Sequence, residues 1–501
     1  MINAIEKELV QSEISRDAYT ENGARVHVST GRALLDMNFK VASYRGASQQ
    51  TIIQDFTKAY SENAELAVKW LFFVRDVREG LGERDLFRTI LQRLITLDVR
   101  VKPLLKLVPE YGRWDDLLIA FDSAQEEVVA ILSKQLNDDV IAMKAGKPAS
   151  LCAKWMPSVN TSSAGVRKMA RKLAMALSMK ERDYRKMLSS LRAYLDVIEV
   201  KAAAKKWGAI NYEHVPSMAN LKYRNAFLKN DEERRREYLG KLEKGEAKIN
   251  ASVAFPHDIV HQYGCKMDPW SRKITHNKVD PAIEAMWKAL PEYGLRDTLV
   301  VADGSGSMMT TIPGTSAQAL EIANALAIYC AEHNVGDFKD KYITFSERPQ
   351  MINFSSAQSL LGKMLIALEH NEVANTNIQA VFELILRTAA KAKMTQEEMI
   401  KNVLIISDME FDACTGRTDV KLFQHIANEY ANLGYKLPRL IFWNVNSRTG
   451  AIPVVENECG VALVSGFSIN LIKMVMSGTL DPYQALLEIL NSERYKPIVL
   501  I

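Results

Sequence analysis

The stretch VVADGSGSM, Val300 to Met308, sets one carboxylate and two hydroxyls at alternate positions: Asp303, Ser305 and Ser307, spaced by Gly304 and Gly306. In an extended loop, alternate side chains point to one side, and glycine lets the backbone approach a ligand closely. Carboxylate and hydroxyl oxygens are hard donors, the set that Mg2+, Ca2+ or Mn2+ takes. Two further oxygen groups stand at comparable places. Thr376, in ANTNIQA, precedes a helical pattern, and Asp408 ends the run VLIISD. The nearby acids Glu410 and Asp412 read as solvated loop charges.

Other chemistries fit these residues less well. A phosphate-binding P-loop ends in Gly-Lys-Ser/Thr, whereas Met308 follows Ser307 here. A serine nucleophile needs a G-x-S-x-G elbow and a positioned histidine, and no histidine has a place beside Ser305 in the sequence. His257 and His261 stand four apart like the ligands of a zinc protease helix. Asp258 replaces the glutamate, however, Pro256 starts the segment and no third ligand is evident.

A metal loop of this kind needs strand ends brought side by side. From residue 298 onward, apolar runs alternate with helical patterns: TLVVAD (298–303), KYITF (341–345), VLIISD (403–408), RLIFWNV (439–445) and GVALVSG (460–466). Uninterrupted apolar strands separated by helices predict a parallel sheet covered on both faces. Ligands of such sheets bind at the carboxyl ends of the strands, where Asp303 and Asp408 fall.

Residues 50–250 read differently. Apolar spacing such as Val166, Met169, Ala170, Leu173 and Leu177 follows the helical period, with few β-branched runs. Helical hairpins, arranged as a HEAT-like array, are the expected form. Trp70, Trp114 and Trp155 read as core anchors. RDVREGLGERD (75–85) reads as a corner whose arginines pair with Asp76, Glu79 and Asp85. The expected fold class is thus α plus α/β: a helical-repeat domain over 1–290, a linker at 291–294, and a doubly wound parallel-sheet domain over 296–501.

Composition narrows the class further. The chain has 501 residues, a net charge of +4 and five scattered cysteines without a C-x-x-C pair, which excludes a disulfide framework and a cysteine zinc site. Its first residues carry no apolar signal core, and no run of about 18 apolar residues occurs, so a cytoplasmic protein without a membrane span is expected. Residues 1–295 hold 47 Lys and Arg against 38 Asp and Glu, while 296–501 hold 17 against 22. An anionic partner, if there is one, meets the front half.

The residues Asp303-Gly-Ser305-Gly-Ser307, with Thr376 and Asp408 on later loops, resemble the metal-ion-dependent adhesion site of von Willebrand factor A domains. The resemblance implies that Ser305, Ser307 and Thr376 ligate directly, with Asp303 and Asp408 partly acting through water. It also implies an open position for a carboxylate from a protein partner. Many members have glycines before the threonine; Ala374 and Asn375 stand here.

In the front half, VREGLGERDLFRTIL, YGRWDDLL, KWMPSVNTS, RKMARKLAMAL, INYEHVPSMANLKYRNAF and AKINASVAFPHDIV look like an uncharacterised family of bacteria, phages and plants. Helical repeats followed by an A-like domain are also the architecture of the Ro (TROVE) proteins, which bind misfolded and small structured RNAs. The resemblance implies a binding function and no enzyme activity.

An RNA partner needs clustered cations. Arg167, Lys168, Arg171 and Lys172 share one helix face by their spacing. Arg182, Arg185, Lys186, Lys201, Lys205 and Lys206 continue the basic bias. A solvated amphipathic face explains the same pattern, as does a protein-interaction module without RNA.

Overall fold

The computed structural model describes residues 17–19, 25–27, 29–268, 271–292, 297–371, 377–408, 420–446, 461–466 and 481–500. A helical region leads into a mixed, largely parallel sheet, an α plus α/β layout. By its internal contacts the chain also falls into two compact units. One comprises Ala64–Asn250 with Glu493–Ile501, and the other Met1–Asn63 with Ala251–Ser492.

The helical unit is a succession of helices with short connectors. In Arg84–Leu97 the buried side chains are Leu86, Phe87, Ile90, Leu91, Leu94 and Ile95, one stripe at the helical period. Ser163 caps the Ala164–Ala176 helix, whose buried residues are Ala170, Leu173 and Ala174. Val166, counted into the same stripe by its spacing, is exposed. Gly80 turns the corner after Ala64–Arg75: a side chain there would put a Cβ 2.0 Å from the Phe73 carbonyl oxygen.

The arginines at this corner pair differently from the sequence expectation. Arg84 does meet Asp85, but at the surface. Arg75 instead reaches the buried Asp116 at 2.8 Å, and Arg78 reaches Glu110. Asp76 receives Arg494 and the hydroxyl of Tyr495, from the far end of the chain. Trp70 is fully buried, whereas Trp114 and Trp155 are only half-buried, and the Arg113 guanidinium lies 4.0 Å over the Trp155 ring.

The other unit is built on six strands: β1 (Thr298–Asp303), β2 (Lys341–Phe345), β3 (Met351–Asn353), β4 (Asn402–Ser407), β5 (Arg439–Asn444) and β6 (Val461–Ser465). Their order is β6-β5-β4-β1-β2-β3, all parallel except the antiparallel edge strand β3. From β1 the chain works outward on one side and then starts again at β4 on the other. Leu299, Val301, Ile343, Phe345, Val403, Ile405, Leu440 and Phe442 pack with the helices Ile378–Ala392 and Val420–Asn432 in one core. The alternate residues Val300, Ala302, Leu404 and Ile406 are buried as well, and the helix Ala319–His333 packs along β1.

The start of the chain belongs to this sheet unit rather than to the helices. Phe39 joins its core. The Asn444 amide donates to the Phe39 carbonyl at 3.1 Å, and the Ala42 amide donates to Ser465 Oγ at 3.1 Å, so this segment lies over the ends of β5 and β6. Cys152, Cys265 and Cys330 are free thiols; Cys414 and Cys459 lie outside the described residues. Among the described residues no helix is long and apolar enough to cross a membrane.

Candidate metal centre at the carboxyl edge of the sheet

β1 and β4 are the central neighbours at which the strand order reverses, and a crevice between such strands is where open α/β sheets take ligands. Asp303 is the last residue of β1 and is 2% exposed. One carboxylate oxygen accepts from the Ser305 backbone amide at 2.8 Å, and the other accepts from the Ser407 hydroxyl of β4 at 2.6 Å. The carboxylate is therefore held from its own loop and from the neighbouring strand. Asp408 follows Ser407 directly and is fully buried.

After Asp303 the chain makes a short turn over Gly306–Met309, anchored by the buried Met308. This sets the hydroxyls of Ser305 and Ser307 3.0 Å apart. Thr310 donates to the Ser307 carbonyl at 2.8 Å, and Asn446, just beyond β5, donates to the Thr310 hydroxyl at 3.2 Å. The loop is thus braced from β4 and from the end of β5.

Thr376 lies outside the described residues, but both flanks of its loop are placed. Asn377 caps the helix Ile378–Ala392 through the Ala380 amide. Asn371, at the other end, lies against the first glycine of the DGSGS loop: a Cβ on Gly304 would sit 3.0 Å from Asn371 Oδ1. The structure brings Asp303, Ser305, Ser307 and Asp408 to one sheet edge. Glu410 and Asp412 also lie outside the described residues.

The donors at this edge are all oxygens, and the two facing hydroxyls suit a hard divalent ion. Among the described residues no group of three or more His, Cys, Asp or Glu is placed to hold a metal, so a cation here would depend on the serine hydroxyls. Among the described residues His257 and His261 belong to no such group either. His257 is half-buried, and its desolvation lowers its pKa. His261 Nδ1 meets the Glu321 carboxylate at 2.9 Å and its Nε2 meets Ser316 Oγ at 3.0 Å; the Glu321 hydrogen bond raises its pKa.

The cationic residues of the helical unit divide into two groups. Arg167 donates to the carbonyls of Thr161 and Ser162, Arg171 pairs with Glu181 at 3.2 Å, and Lys172 pairs with Asp122 at 2.9 Å. They line a groove of about 500 Å³ with Lys168, Met175 and Met179, but much of their charge is answered locally. Lys201 is likewise held by Asp196 at 2.6 Å. Lys168, Arg182, Arg185, Lys186, Lys205 and Lys206 are exposed, and among the described residues none meets a carboxylate. Arg182, Arg185 and Lys186 fall on one face of the helix Glu181–Tyr194.

The sequence reading missed two groups at the sheet edge, Ser407 and Asn371. Ser407 precedes a recognised aspartate and has a signal, since strand-end polar residues in a buried parallel sheet need partners. Asn371 lies between two helical patterns and has none.

Comparison with known proteins agrees with a two-part chain. Residues 121–293 match one domain of unknown function, DUF2828, and residues 297–494 match another, DUF7788. The chain is also similar to an uncharacterized protein of Acanthamoeba polyphaga mimivirus, at 28% identity, with 96% of this chain and 88% of the viral protein covered.

Proposed function

We propose that this protein is a binding protein of Ro-like architecture. Its sheet unit is a von Willebrand A-like domain that holds Mg2+ or a similar ion with Ser305, Ser307 and Thr376, Asp303 and Asp408 acting partly through water. The helical unit is a HEAT-like or TROVE-like array that binds structured or misfolded RNA. The observation that carries this reading is the held Asp303 carboxylate beside two facing serine hydroxyls, at the strands where the sheet order reverses. The RNA part rests on the exposed cations Lys168, Arg182, Arg185, Lys186, Lys205 and Lys206, with Arg167, Arg171 and Lys172 as a secondary face.

The test is purification from the native cell at low salt, followed by sequencing of bound nucleic acid. Discrete RNAs on the wild type, lost on charge reversal of Arg182, Arg185 and Lys186, are expected. A nucleic-acid-free wild type would overturn the RNA part. A second reading, a metal-dependent protein adaptor without RNA, is favoured by the local pairing of Arg171 and Lys172. It requires a protein partner captured only with divalent ions and released by Asp303→Ala.

A further inference from the structure

His261, Glu321 and Ser316 form a hydrogen-bonded line in the sheet unit that neither the metal site nor the cationic face uses. His261 Nδ1 lies 2.9 Å from Glu321 Oε2, and its Nε2 lies 3.0 Å from Ser316 Oγ. A carboxylate only accepts, so the Nδ1 proton goes to Glu321 and Nε2 is left as the acceptor for the serine hydroxyl. This is the arrangement of a Ser–His–acid triad, which is defined by geometry and roles and not by sequence order.

Each member is held on its own element. Glu321 lies in the first turn of the helix Ala319–His333, where the helix dipole favours its charge, and its side chain is 13% exposed. His261 opens the short turn His261–Tyr263, directly after the helix Pro256–Val260, which packs against Ala319–His333. Ser316 is exposed, in a turn closed by two backbone bonds: the Ile312 amide donates to the Ala317 carbonyl at 3.0 Å, and the Thr315 amide donates to the Ile312 carbonyl at 3.1 Å. Gly46 lies against this turn, since a Cβ on it would sit 3.3 Å from Pro313 Cγ. The hydroxyl is thus open to solvent on a braced turn.

We propose that Ser316 is a nucleophile for acyl transfer from small activated esters, with His261 as its general base and Glu321 positioning His261. Ser316 Oγ attacks the acyl carbon and its proton passes to His261 Nε2. The bond from that carbon to the leaving oxygen breaks, and the leaving alcohol takes the proton. Water then attacks the acyl-serine, gives a proton to Nε2, and the serine oxygen leaves and recovers its proton. The substrate class follows from the Ala317 amide. Behind a nucleophile elbow, the amide after the serine stabilises the oxyanion; here it donates to Thr315 Oγ1 at 3.2 Å. Loss of one such donor costs about 10²–10³ in rate, which an ester with a good leaving group tolerates and a peptide bond does not. The inference is independent of the metal and RNA readings.

The experiment treats the full chain with a fluorophosphonate, locates the label by peptide mass spectrometry, and follows p-nitrophenyl acetate hydrolysis in parallel. Label on Ser316 is expected, with both label and hydrolysis lost in Ser316→Ala. His261→Ala should slow labelling about hundredfold, and imidazole in solution should restore part of the rate, which it would not do for a folding defect. Glu321→Gln should slow hydrolysis at least about tenfold and move the rising limb of the rate–pH profile to lower pH, because the Glu321 hydrogen bond raises the His261 pKa. Asp258, Lys266 and His257, the other groups whose charge acts on or is felt from His261, stay in place in that variant. No label on Ser316, labelling equally fast in His261→Ala, or a profile unmoved in Glu321→Gln would overturn the proposal.

Discussion

The Ser407–Asp303 hydrogen bond shows how a side chain on one strand holds a carboxylate on its neighbour. Ser407 is fully buried and its hydroxyl fixes the outer oxygen of Asp303. Ser407→Ala leaves that oxygen without its donor, so a loss of about 1–3 kcal/mol is expected, read as a lower urea midpoint. His261 makes a pH-dependent counterpart. Its hydrogen bond to Glu321 raises its pKa; the nearby Asp258 acts in the same sense, while Lys266 and burial act against it. A raised folded pKa means that the pair stabilises fully below about pH 6.5, the unfolded value, and that this contribution is lost as pH rises through the folded pKa. Stability measured from pH 5.5 to 8.5 should therefore fall in the wild type, and that fall should be smaller in Glu321→Gln.

The end of the chain offers the clearest case of an element decided by packing. Tyr495 is 1% exposed, stacks on Tyr111 with ring centroids 5.7 Å apart, and meets Phe73 edge-on. Arg494 bonds Asp76 through two nitrogens and Glu110 through a third contact at 2.8 Å, and its guanidinium lies 4.6 Å over the Tyr111 ring. Asp76 is fully buried, so these groups are what make its charge tolerable in the helical unit. Tyr495→Ala is expected to destabilise that unit by about 3 kcal/mol, within the range for large-to-small core changes. Deleting 493–501 should be worse, because it also leaves Asp76 buried without its cation. Thermal unfolding followed by circular dichroism at the helical band reads both.

For the molecule as a whole, charge decides which partner the helical unit can meet. A net charge of +4 is modest, so attraction for a polyanion must come from local clusters rather than from the overall field. If RNA is the partner, neutralising Lys186 should lower the slope of log affinity against log salt by about one. Neutralising Arg171 should change it less, since Glu181 already answers that charge. Filter binding across a salt series distinguishes the two.

The sequence by itself determined the elements whose burial is complete on both faces. β1, β2, β4 and β5 fall on the expected apolar runs because a strand covered on both sides must be apolar throughout, and β6 also falls on its expected run. The edge strand β3 has three residues and ends in an exposed asparagine, too short for a pattern to register. Asp303, Ser305, Ser307 and Asp408 were legible because a carboxylate ending an apolar strand is costly unless it has work to do. Tertiary structure alone decided what long-range contacts fix. It assigned residues up to Asn63 to the sheet unit and Glu493–Ile501 to the helical unit, paired Asp76 with Arg494 across 418 positions, and seated Asn371 against Gly304. Local periodicity reports which face of an element is buried, but not which distant segment buries it.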